Sequence, residues 1–330
     1  VWIFFWEQES LVDLDGLSDV VQIEGLSIRY GDLLAVSDVT FSVSRGELFG
    51  LIGPNGAGKT SILETIAGLR RAVSSSGSIS TFGFDPLTQQ KNLKAMVAIQ
   101  LQDSAFPSRV TVGDMCTLYE SIYNARDASD SLLEEFGLAD RRSSLVSSLS
   151  GGLRQRLALV LTQVGFAQLL LLDELTTGLD PEQRRATWKI IRRLATSGKT
   201  IVLTSHYMDE VEALCSRVGV LHGGRLVFLG TPKELVSTYG GSPQIEVDTT
   251  LMNEAQVQQL LDLGDPQDVT ATDTRATFRT FTPEMAERII LWIGAKGFSP
   301  AIAHFRSPNL EEAYLALIES CDKARKQTSV

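Results

Sequence analysis

The sequence predicts an α/β fold built on a largely parallel β-sheet, followed by a small α+β domain. Three observations predict this fold. The short apolar strand GELFGLIG runs through a glycine-rich turn into the helical pattern SILETIAGL. The run QLLLLDE contains four consecutive leucines, which is typical of a parallel strand buried on both faces. Strand and helix patterns alternate again after YGGSPQ, at residues 239–244.

The segments before the glycine-rich turn are β-rich. VVQIEGLSIRY and LAVSDVTFSV alternate apolar and polar residues, as half-buried strands do, and Gly31 and Asp32 form a turn between them. Residues 110–166 read as mostly helical, and TIVLTSH reads as a further buried strand. VGVLHGGRLVFLG predicts a hairpin that turns at Gly223 and Gly224.

The last part of the chain predicts a separate small domain. In order, IEVD is a strand, MNEAQVQQLLDL a helix, VTATDTRATFRT a β segment, PEMAERIILWIGA a helix, AIAHF a strand and NLEEAYLALI a helix. This order is typical of a ferredoxin-like module. We therefore expect an amino-terminal extension at residues 1–20, a main domain at 21–240 and an α+β accessory domain at 241–330. His304 stands alone in the last of these, without the spacing of a metal site or a catalytic pair.

Composition narrows the classes of function. The 330 residues carry 40 acidic and 30 basic side chains, a net charge of −10 that disfavours a nucleic-acid surface. No apolar run reaches the roughly 18–20 residues that a membrane-crossing helix needs. The three cysteines, Cys116, Cys215 and Cys321, form no C-x-x-C pair and suit a reducing compartment. VWIFFW lacks the basic start of a signal peptide, so we expect residues 1–20 to be a loosely attached extension.

Residues 53–60, GPNGAGKT, fit the Walker A pattern G-x-x-x-x-G-K-[ST] between a strand and a helix. Backbone N–H groups of such a loop surround phosphates, Lys59 reaches the β- and γ-phosphates, and the Thr60 hydroxyl binds Mg²⁺. The alternative, a chance match in a surface loop, is disfavoured by the strand-to-helix context. The predicted nucleotide-binding residues of this segment are Gly53, Pro54, Asn55, Gly56, Ala57, Gly58, Lys59, Thr60 and Ser61.

Two carboxylates, Asp173 and Glu174, end the four-leucine strand. Ligands bind beyond the carboxyl ends of strands in sheets of this kind. We expect Asp173 to hold Mg²⁺ and Glu174 to act as the catalytic residue that polarises an attacking water. In the alternative interpretation, both are solvated residues at a strand end.

A second candidate anion site lies at LSGG, where Ser150, Gly151 and Gly152 precede a helical pattern. A small hydroxyl and glycines at a helix start present free N–H groups and the positive end of the helix dipole. Because the chain already has a stronger phosphate-binding loop, the ligand of this second site needs an explanation.

LSGG, the two Walker motifs and TSH together resemble the ATP-binding cassette (ABC) superfamily over about residues 21–240. The resemblance implies a P-loop NTPase fold with a RecA-like parallel-sheet core, an antiparallel β subdomain and a helical subdomain. In this family two cassettes pack head to tail, and each nucleotide lies between the Walker A loop of one and the LSGG of the other. The resemblance therefore implies a homodimer that binds ATP and Mg²⁺. In this dimer Ser150, Gly151 and Gly152 would contact the γ-phosphate held by the second copy.

The resemblance assigns further roles. Tyr30 matches the aromatic residue that stacks on adenine, although a core or edge-strand tyrosine is an alternative. Gln102 matches the glutamine that senses Mg²⁺ and contributes to catalysis, with Gln100 as its alternative. His206 matches the catalytic histidine that contacts the γ-phosphate. The alternative is a histidine with a structural role only. Asp180 matches the D-loop that crosses to the second copy.

Two positions depart from the family pattern. Leu153 stands where many members have glutamine after LSGG, a change that leaves the backbone role intact. Leu175 replaces the usual proline after Asp-Glu, so the path from Glu174 into the D-loop lacks a fixed φ. We expect this second change to affect turnover and not nucleotide binding.

Three segments, RVTVGDMCTLYESIY, the run from SHYMDEVEAL to GTPKEL, and SPNLEEAYLALI, resemble the ATPase subunits of type-2 ABC exporters of the daunorubicin-resistance class. The resemblance implies an ATPase that drives efflux of a drug, lipid or polysaccharide through a separate transmembrane permease. Such a subunit would lie peripherally on the cytoplasmic face of the membrane.

Three other functions stay open at this point. A soluble ABC ATPase acting on ribosomes or DNA is disfavoured by the single cassette and the acidic balance. A P-loop module that binds without hydrolysing is disfavoured because Lys59, Asp173, Glu174 and His206 all occur. An importer ATPase is the nearest alternative within the superfamily, although many of those carry a β-rich extension.

Overall fold

The computed structural model describes residues 18–69, 74–101, 106–107, 109–265, 267–279 and 282–328. The chain divides into two compact units, one ending at Pro232 and one beginning at Lys233. This division lies before the expected boundary at residue 240. Most of the expected extension, residues 1–17, lies outside the described residues, whereas Asp19 and Val20 already belong to the first strand.

The first unit alternates strands and helices. Its strands are β1 (Asp19–Tyr30), β2 (Leu33–Ser44), β3 (Leu48–Ile52), β4 (Ser74–Thr81), β5 (Val97–Gln100), β6 (Leu169–Asp173), β7 (Thr200–Ser205), β8 (Arg217–His222) and β9 (Arg225–Gly230). Its helices are α1 (Lys59–Ile66), α2 (Gln90–Leu93), α3 (Val112–Tyr123), α4 (Ala128–Glu135), α5 (Gly151–Val164), α6 (Pro181–Thr196) and α7 (Met208–Leu214). Short 3₁₀ turns at Ala139–Arg141 and Val146–Ser148 interrupt the helical segment between α4 and α5.

The central sheet has the strand order β5-β6-β7-β3-β8-β9. All neighbours pair in parallel except β8 and β9, which form the predicted antiparallel hairpin. Every residue of β3, β6 and β7 is buried, as continuous apolar sequence requires in a sheet covered on both faces. The predicted α/β fold is confirmed. Because β3, β6 and β7 run the same way side by side, the segments that follow them emerge at one edge of the sheet.

Two further parts complete the first unit. An antiparallel sheet has the order β2-β1-β4, and its β2 strand is joined to the β8–β9 hairpin by a hydrogen bond from Ser37 N to Gly224 O (2.7 Å). Helices α3, α4 and α5 pack together as the predicted helical region. Strand β4 was not predicted, because its sequence SSSGSIST has no apolar alternation. It forms because β1 offers it a pairing edge.

Helix α8 (Pro232–Tyr239) begins at the last residue of the first unit and otherwise belongs to the second. The second unit also contains β10 (Gln244–Asp248), α9 (Glu254–Leu261), β11 (Val269–Thr272), β12 (Arg275–Phe278), α10 (Pro283–Ala295), β13 (Ala303–Arg306) and α11 (Leu310–Thr328). Its sheet is antiparallel, with the order β11-β12-β10-β13, and the order along the chain is β-α-β-β-α-β. This is the split βαβ arrangement of the ferredoxin-like type. Ile245, Val247, Phe278, Ile289 and Ile293 form its buried core.

Two boundaries in this unit differ from the prediction. The strand predicted at AIAHF begins only at Ala303, because Pro300–Ile302 forms a 3₁₀ turn. The last helix continues to Thr328, well beyond the predicted end at Ile318. Within the part of the chain that the structure describes, no helix is both long enough and apolar enough to cross a bilayer.

The packing of β3 generates a stability prediction at Gly50. A Cβ atom there would lie 2.7 Å from Cys215 Sγ and 3.2 Å from Val218 Cγ1, in a fully buried strand. We expect Gly50→Ala to lower the free energy of unfolding by about 1–3 kcal/mol through overpacking. Adding Cys215→Ala should restore part of this loss. Urea unfolding of the single and double variants measures both effects.

Gly294, an exposed glycine of α10, provides the control. A Cβ there would meet nothing within 4 Å, so Gly294→Ala should be neutral or stabilising by roughly 0.5–1 kcal/mol. Parental stability in Gly50→Ala would contradict the tight packing of β3 against Cys215.

Candidate functional site

The glycine-rich loop between β3 and α1 requires glycine at two points. Gly53 has φ +155°, and a Cβ there would lie 2.3 Å from Leu221 O. Gly58 has φ +102°, and a Cβ there would lie 2.7 Å from Ala35 O. Both positions therefore exclude any side chain, and the loop curls tightly against its neighbours. Helix α1 begins immediately afterwards, so the free N–H groups of its first turn add to those of the loop.

Lys59 is the first residue of α1 and is only 5% exposed. Its Nζ donates hydrogen bonds to Gly53 O (2.8 Å) and Pro54 O (3.2 Å) and lies 3.6 Å from Glu174 Oε1. Burial lowers the pKa of Lys59, and the carboxylates of Glu174 and Asp173 oppose that change. The ammonium is thus a buried cation held by carbonyl oxygens and a carboxylate.

Asp173, at the end of β6, is 2% exposed and accepts hydrogen bonds at both carboxylate oxygens. Thr60 Oγ1 donates to Oδ2 (2.8 Å), and Thr204 Oγ1 donates to Oδ1 (2.5 Å). Oxygen ligands of this kind suit Mg²⁺. Thr204 was missed at the sequence level. The signal was present in TIVLTSH, because the parallel register places Thr204 opposite Asp173.

Glu174 follows with φ +46°, a left-handed conformation that strains a residue with a Cβ. Its backbone N–H donates to Thr204 O (3.2 Å) and Thr204 Oγ1 (3.0 Å). Its Oε2 accepts a hydrogen bond from Thr177 Oγ1 (3.4 Å) and lies 3.4 Å from His206 Nδ1. The strained backbone therefore places one carboxylate between Lys59 and His206.

His206 directly follows β7 and is 38% exposed. Its ring lies 4.2 Å from the ring of Tyr207, centroid to centroid. Among the predicted residues, the structure brings Lys59, Thr60, Asp173, Glu174 and His206 into one cluster at the carboxyl edge of the sheet.

The LSGG segment forms a separate local structure. Ser150 caps α5, with its Oγ accepting from Leu153 N (3.4 Å), and Gly151 and Gly152 open the helix. A Cβ on Gly152 would lie 2.6 Å from Gln183 Oε1. Within the described residues, Ser150 makes no hydrogen bond to the Lys59–Glu174 cluster.

Asp180 is the cap of α6, and its Oδ1 accepts from Gln183 N (2.8 Å). The turn that leads to it has Leu175 where a proline would fix φ, yet Leu175 is buried and Thr177 N donates to Glu174 O (3.1 Å). Packing and this hydrogen bond fix the segment where proline is absent.

The remaining predicted residues, Tyr30 and Gln102, are not part of the Lys59–His206 cluster as the structure describes it. Tyr30 ends β1, and its half-buried side chain packs against the core cluster that includes Ala57. Gln102 lies outside the described residues. Its alternative, Gln100, lines a cavity of about 180 Å³ together with Gln155, Asp173 and Glu174.

Gln155 of α5 was not singled out by the sequence, because a polar residue within a helix carries no chemical signature. Its side-chain oxygen is buried without a hydrogen-bond partner among the described residues. It lies on the wall of the cavity that also exposes Asp173 and Glu174. A buried polar atom beside a polar cavity is a place where water binds.

A second buried carboxylate, Glu210, belongs to α7. It is 3% exposed, and Trp188 Nε1 donates a hydrogen bond to its Oε1 (2.9 Å). Burial raises the pKa of Glu210, and interactions with the side chains of Ser205, Thr176 and Trp188 oppose the rise. Glu210 therefore connects α6 to the segments next to Glu174 and His206.

Comparison with known proteins identifies the family. Over 302 residues the chain is 34% identical to the Nod factor export ATP-binding protein I of Rhizobium johnstonii, covering 90% of this chain and 94% of that protein. The chain belongs to the ABC transporter family. Residues 36–177 match the family described as ABC transporter, and this stretch contains the Walker A loop, LSGG and Asp173–Glu174. As an ABC ATPase, the chain binds and hydrolyses ATP.

Two further similarities agree with this assignment. The Daunorubicin resistance ATP-binding protein DrrA3 of Streptomyces coeruleorubidus is 31% identical over 305 residues, covering 90% of this chain and 95% of that protein. A solved structure of the ATP binding subunit of an ABC transporter matches with a TM-score of 0.60 and 28% identity, over 67% of this chain and 93% of that one. The resemblance to ABC ATPases of the daunorubicin-resistance class is confirmed.

The burial of Glu210 predicts a pH dependence of stability. Because its pKa is raised in the folded ABC ATPase, the folded protein retains this proton in a pH range where the unfolded chain has released it. The contribution of Glu210 to the free energy of unfolding is complete below its ordinary pKa of 4.5 and is lost as the pH rises through the folded value. Glu210→Gln does not titrate, so we expect it to gain stability relative to the parent as the pH rises from acid to neutral.

Urea unfolding of both proteins over a pH series measures this difference. Glu212→Gln, an exposed change on the same helix, is the control and should follow the parent. A stability difference between Glu210→Gln and the parent that stays constant with pH would contradict the raised pKa.

Proposed function

We propose that this chain is the ATPase subunit of an ABC exporter, which drives efflux of a drug, lipid or polysaccharide through a separate transmembrane permease. The observation that carries the ATPase part of the proposal is the position of the Glu174 carboxylate between Lys59 Nζ (3.6 Å) and His206 Nδ1 (3.4 Å). The relatives named for Nod factor export and daunorubicin resistance support export as the output. The subunit would lie on the cytoplasmic face of the membrane, held there by the permease.

ATP binding begins at the glycine-rich loop, whose residues 53–61 surround the phosphates. In the described structure Lys59 Nζ is bonded to Gly53 O and Pro54 O. The β- and γ-phosphate oxygens would replace these carbonyls as acceptors, because they carry the negative charge that a buried ammonium requires. Tyr30 is proposed to stack on adenine, a contact worth about 1–3 kcal/mol in nucleic-acid cases.

The residues present fit a bound Mg²⁺. Thr60 and Asp173 offer hydroxyl and carboxylate oxygens that already lie 2.8 Å apart, and Gln102 is proposed as a third contributor. When bound, the ion would neutralise charge on the phosphates.

Glu174 is the proposed catalytic base. Water attacks the γ-phosphorus in line, its proton passes to the Glu174 carboxylate, and the bond between the γ-phosphorus and the β–γ bridging oxygen breaks to release ADP. His206 presents Nδ1 to Glu174, which leaves Nε2 for a γ-phosphate oxygen. Replacement of the Lys59–Glu174 pair by phosphate would free Glu174 for this role.

A homodimer completes the site. Ser150 caps α5, and Gly151 and Gly152 open this helix, so its free N–H groups and the Ser150 hydroxyl are proposed to bind the γ-phosphate held by a second copy. Asp180 is proposed to cross to that copy as well. Closure then depends on ATP, because the γ-phosphate contacts both subunits and ADP does not.

Glu174→Gln tests the chemistry. The variant keeps the shape of the side chain but cannot accept the proton, so we expect hydrolysis to fall about 10²–10⁴-fold while ATP binding persists. Phosphate release and equilibrium binding of ATP measure the two effects. Glu182→Gln, an exposed change in the first turn of α6, is the matched control. Near-normal turnover in Glu174→Gln would assign the base to another residue.

The same variant tests the dimer. Saturated with magnesium and ATP, Glu174→Gln should form a dimer in small-angle scattering, and adding Ser150→Phe should return it to a monomer. A variant that stays monomeric with its permease present would refute the shared site.

Copurification of a permease tests whether the ATPase drives export. Tagged protein purified from detergent-solubilised membranes of its own cells should retain an integral membrane protein with several spanning helices. Copurified ribosomes or DNA would instead favour the soluble alternative and contradict export.

A further inference from the structure

A line of side-chain contacts connects the start of α6 with the catalytic cluster. The Arg184 guanidinium lies 4.7 Å from the centroid of the Tyr207 ring, and the Tyr207 ring lies 4.2 Å from that of His206. His206 Nδ1 in turn lies 3.4 Å from Glu174 Oε2. Arg184 also belongs to the first turn of α6, where its N–H donates to Asp180 O (2.9 Å).

His206 needs such support because its side chain is partly exposed. Among the described residues, the His206 side chain contacts the Glu174 carboxylate at a long distance and the Tyr207 ring. A ring held only at 3.4 Å by one carboxylate would rotate in solvent, whereas an aromatic neighbour limits the rotation. Tyr207 is the residue next in sequence, so its own ring must be fixed from elsewhere.

Arg184 is suited to fix the Tyr207 ring. A guanidinium over an aromatic face is attracted by the ring quadrupole, and its planar shape stacks well. The Arg184 side chain is only 18% exposed, and its Nη2 pairs with Asp209 Oδ2 of α7 (3.5 Å). Its guanidinium also lies 6.0 Å from the Trp188 ring. These contacts give the Arg184 guanidinium a defined position.

We propose that Arg184 is a positioning residue for His206 and acts through the ring of Tyr207. Arg184 lies one helical turn from Asp180, the residue proposed to cross to a second copy. The inference rests on the proposed function of His206 and adds a residue that the Walker, LSGG and TSH motifs do not contain.

Arg192 provides a control for a purely structural role of Arg184. Arg192 also joins α6 to α7, through hydrogen bonds from Nη2 and Nε to Ala213 O (2.6 and 3.2 Å). It lies two turns further along α6 and, among the described residues, forms no hydrogen bond or ring contact with Tyr207 or His206. Loss of Arg192 should therefore weaken the packing of the two helices without releasing His206.

The test measures steady-state ATP hydrolysis by the full chain. We expect Arg184→Ala and Tyr207→Ala to lower kcat about tenfold with KM for ATP changed less than twofold, because misplacement of a catalytic group affects the reaction more than binding. Tyr207→Phe keeps the ring and should retain near-parental kcat. Arg192→Ala should lose stability but keep kcat, and Arg185→Ala, an exposed neighbour, should change neither.

Epistasis with His206 decides the mechanism. In a His206→Ala background, Arg184→Ala should cause no further loss of turnover, since its effect passes through the histidine. An equal fold-loss in both backgrounds, or a loss in Arg192→Ala as large as in Arg184→Ala, would overturn the proposal. Parental turnover in His206→Ala would instead refute the proposed role of His206 itself.

A spectroscopic readout remains available if His206→Ala is too slow to measure. The chain has three histidines, so His206 is assignable in ¹³C-labelled histidine NMR spectra by comparison with His206→Ala. Its ring signal should carry a ring-current shift from Tyr207 that is reduced in Arg184→Ala and kept in Arg192→Ala. An unchanged His206 signal in Arg184→Ala would overturn the positioning role.

Discussion

The buried carboxylate of Asp173 is the interaction on which the functional edge of the first unit depends. Its two oxygens accept hydrogen bonds from Thr60, which follows β3, and from Thr204, which belongs to β7. A carboxylate removed from water is tolerated only when its oxygens are bonded in this way. The pairing therefore fixes the first turn of α1 and the end of β7 relative to β6. Glu174 follows directly in sequence, so these hydrogen bonds of Asp173 also fix the position of its backbone.

The parallel strands and the phosphate loop could be predicted because their signals are local. Four leucines in succession, or glycines at fixed spacing before Lys59, specify burial or a tight turn without knowledge of the rest of the chain. Strand β4 could not be predicted in this way, since its serines form a strand only where β1 supplies the other half of the hydrogen bonds. Thr204 was accessible in principle, once β6 and β7 were taken as parallel neighbours.

Other site residues were inaccessible because their partners are distant in sequence. Glu210 of α7 contacts Trp188 of α6, and Arg184 of α6 contacts Tyr207, which precedes α7. Nothing in the spacing of these residues distinguishes them from ordinary helix surface. The fold buries the side-chain oxygen of Gln155 in a helix whose sequence pattern indicates only amphipathic character. Chemistry carried by motifs is thus visible in the sequence, whereas the residues that hold those motifs in place become visible only with the fold.

The left-handed backbone at Glu174 sets a limit on how this protein can be made more robust. Glycine or asparagine would adopt that conformation at lower cost, yet neither could accept the proton. Directed evolution that selects for heat resistance alone would therefore tend to replace the side chain that we propose as the catalytic base. Selection for thermal stability therefore has to include ATP turnover as a second criterion, because at residue 174 backbone stability and catalytic activity favour different side chains.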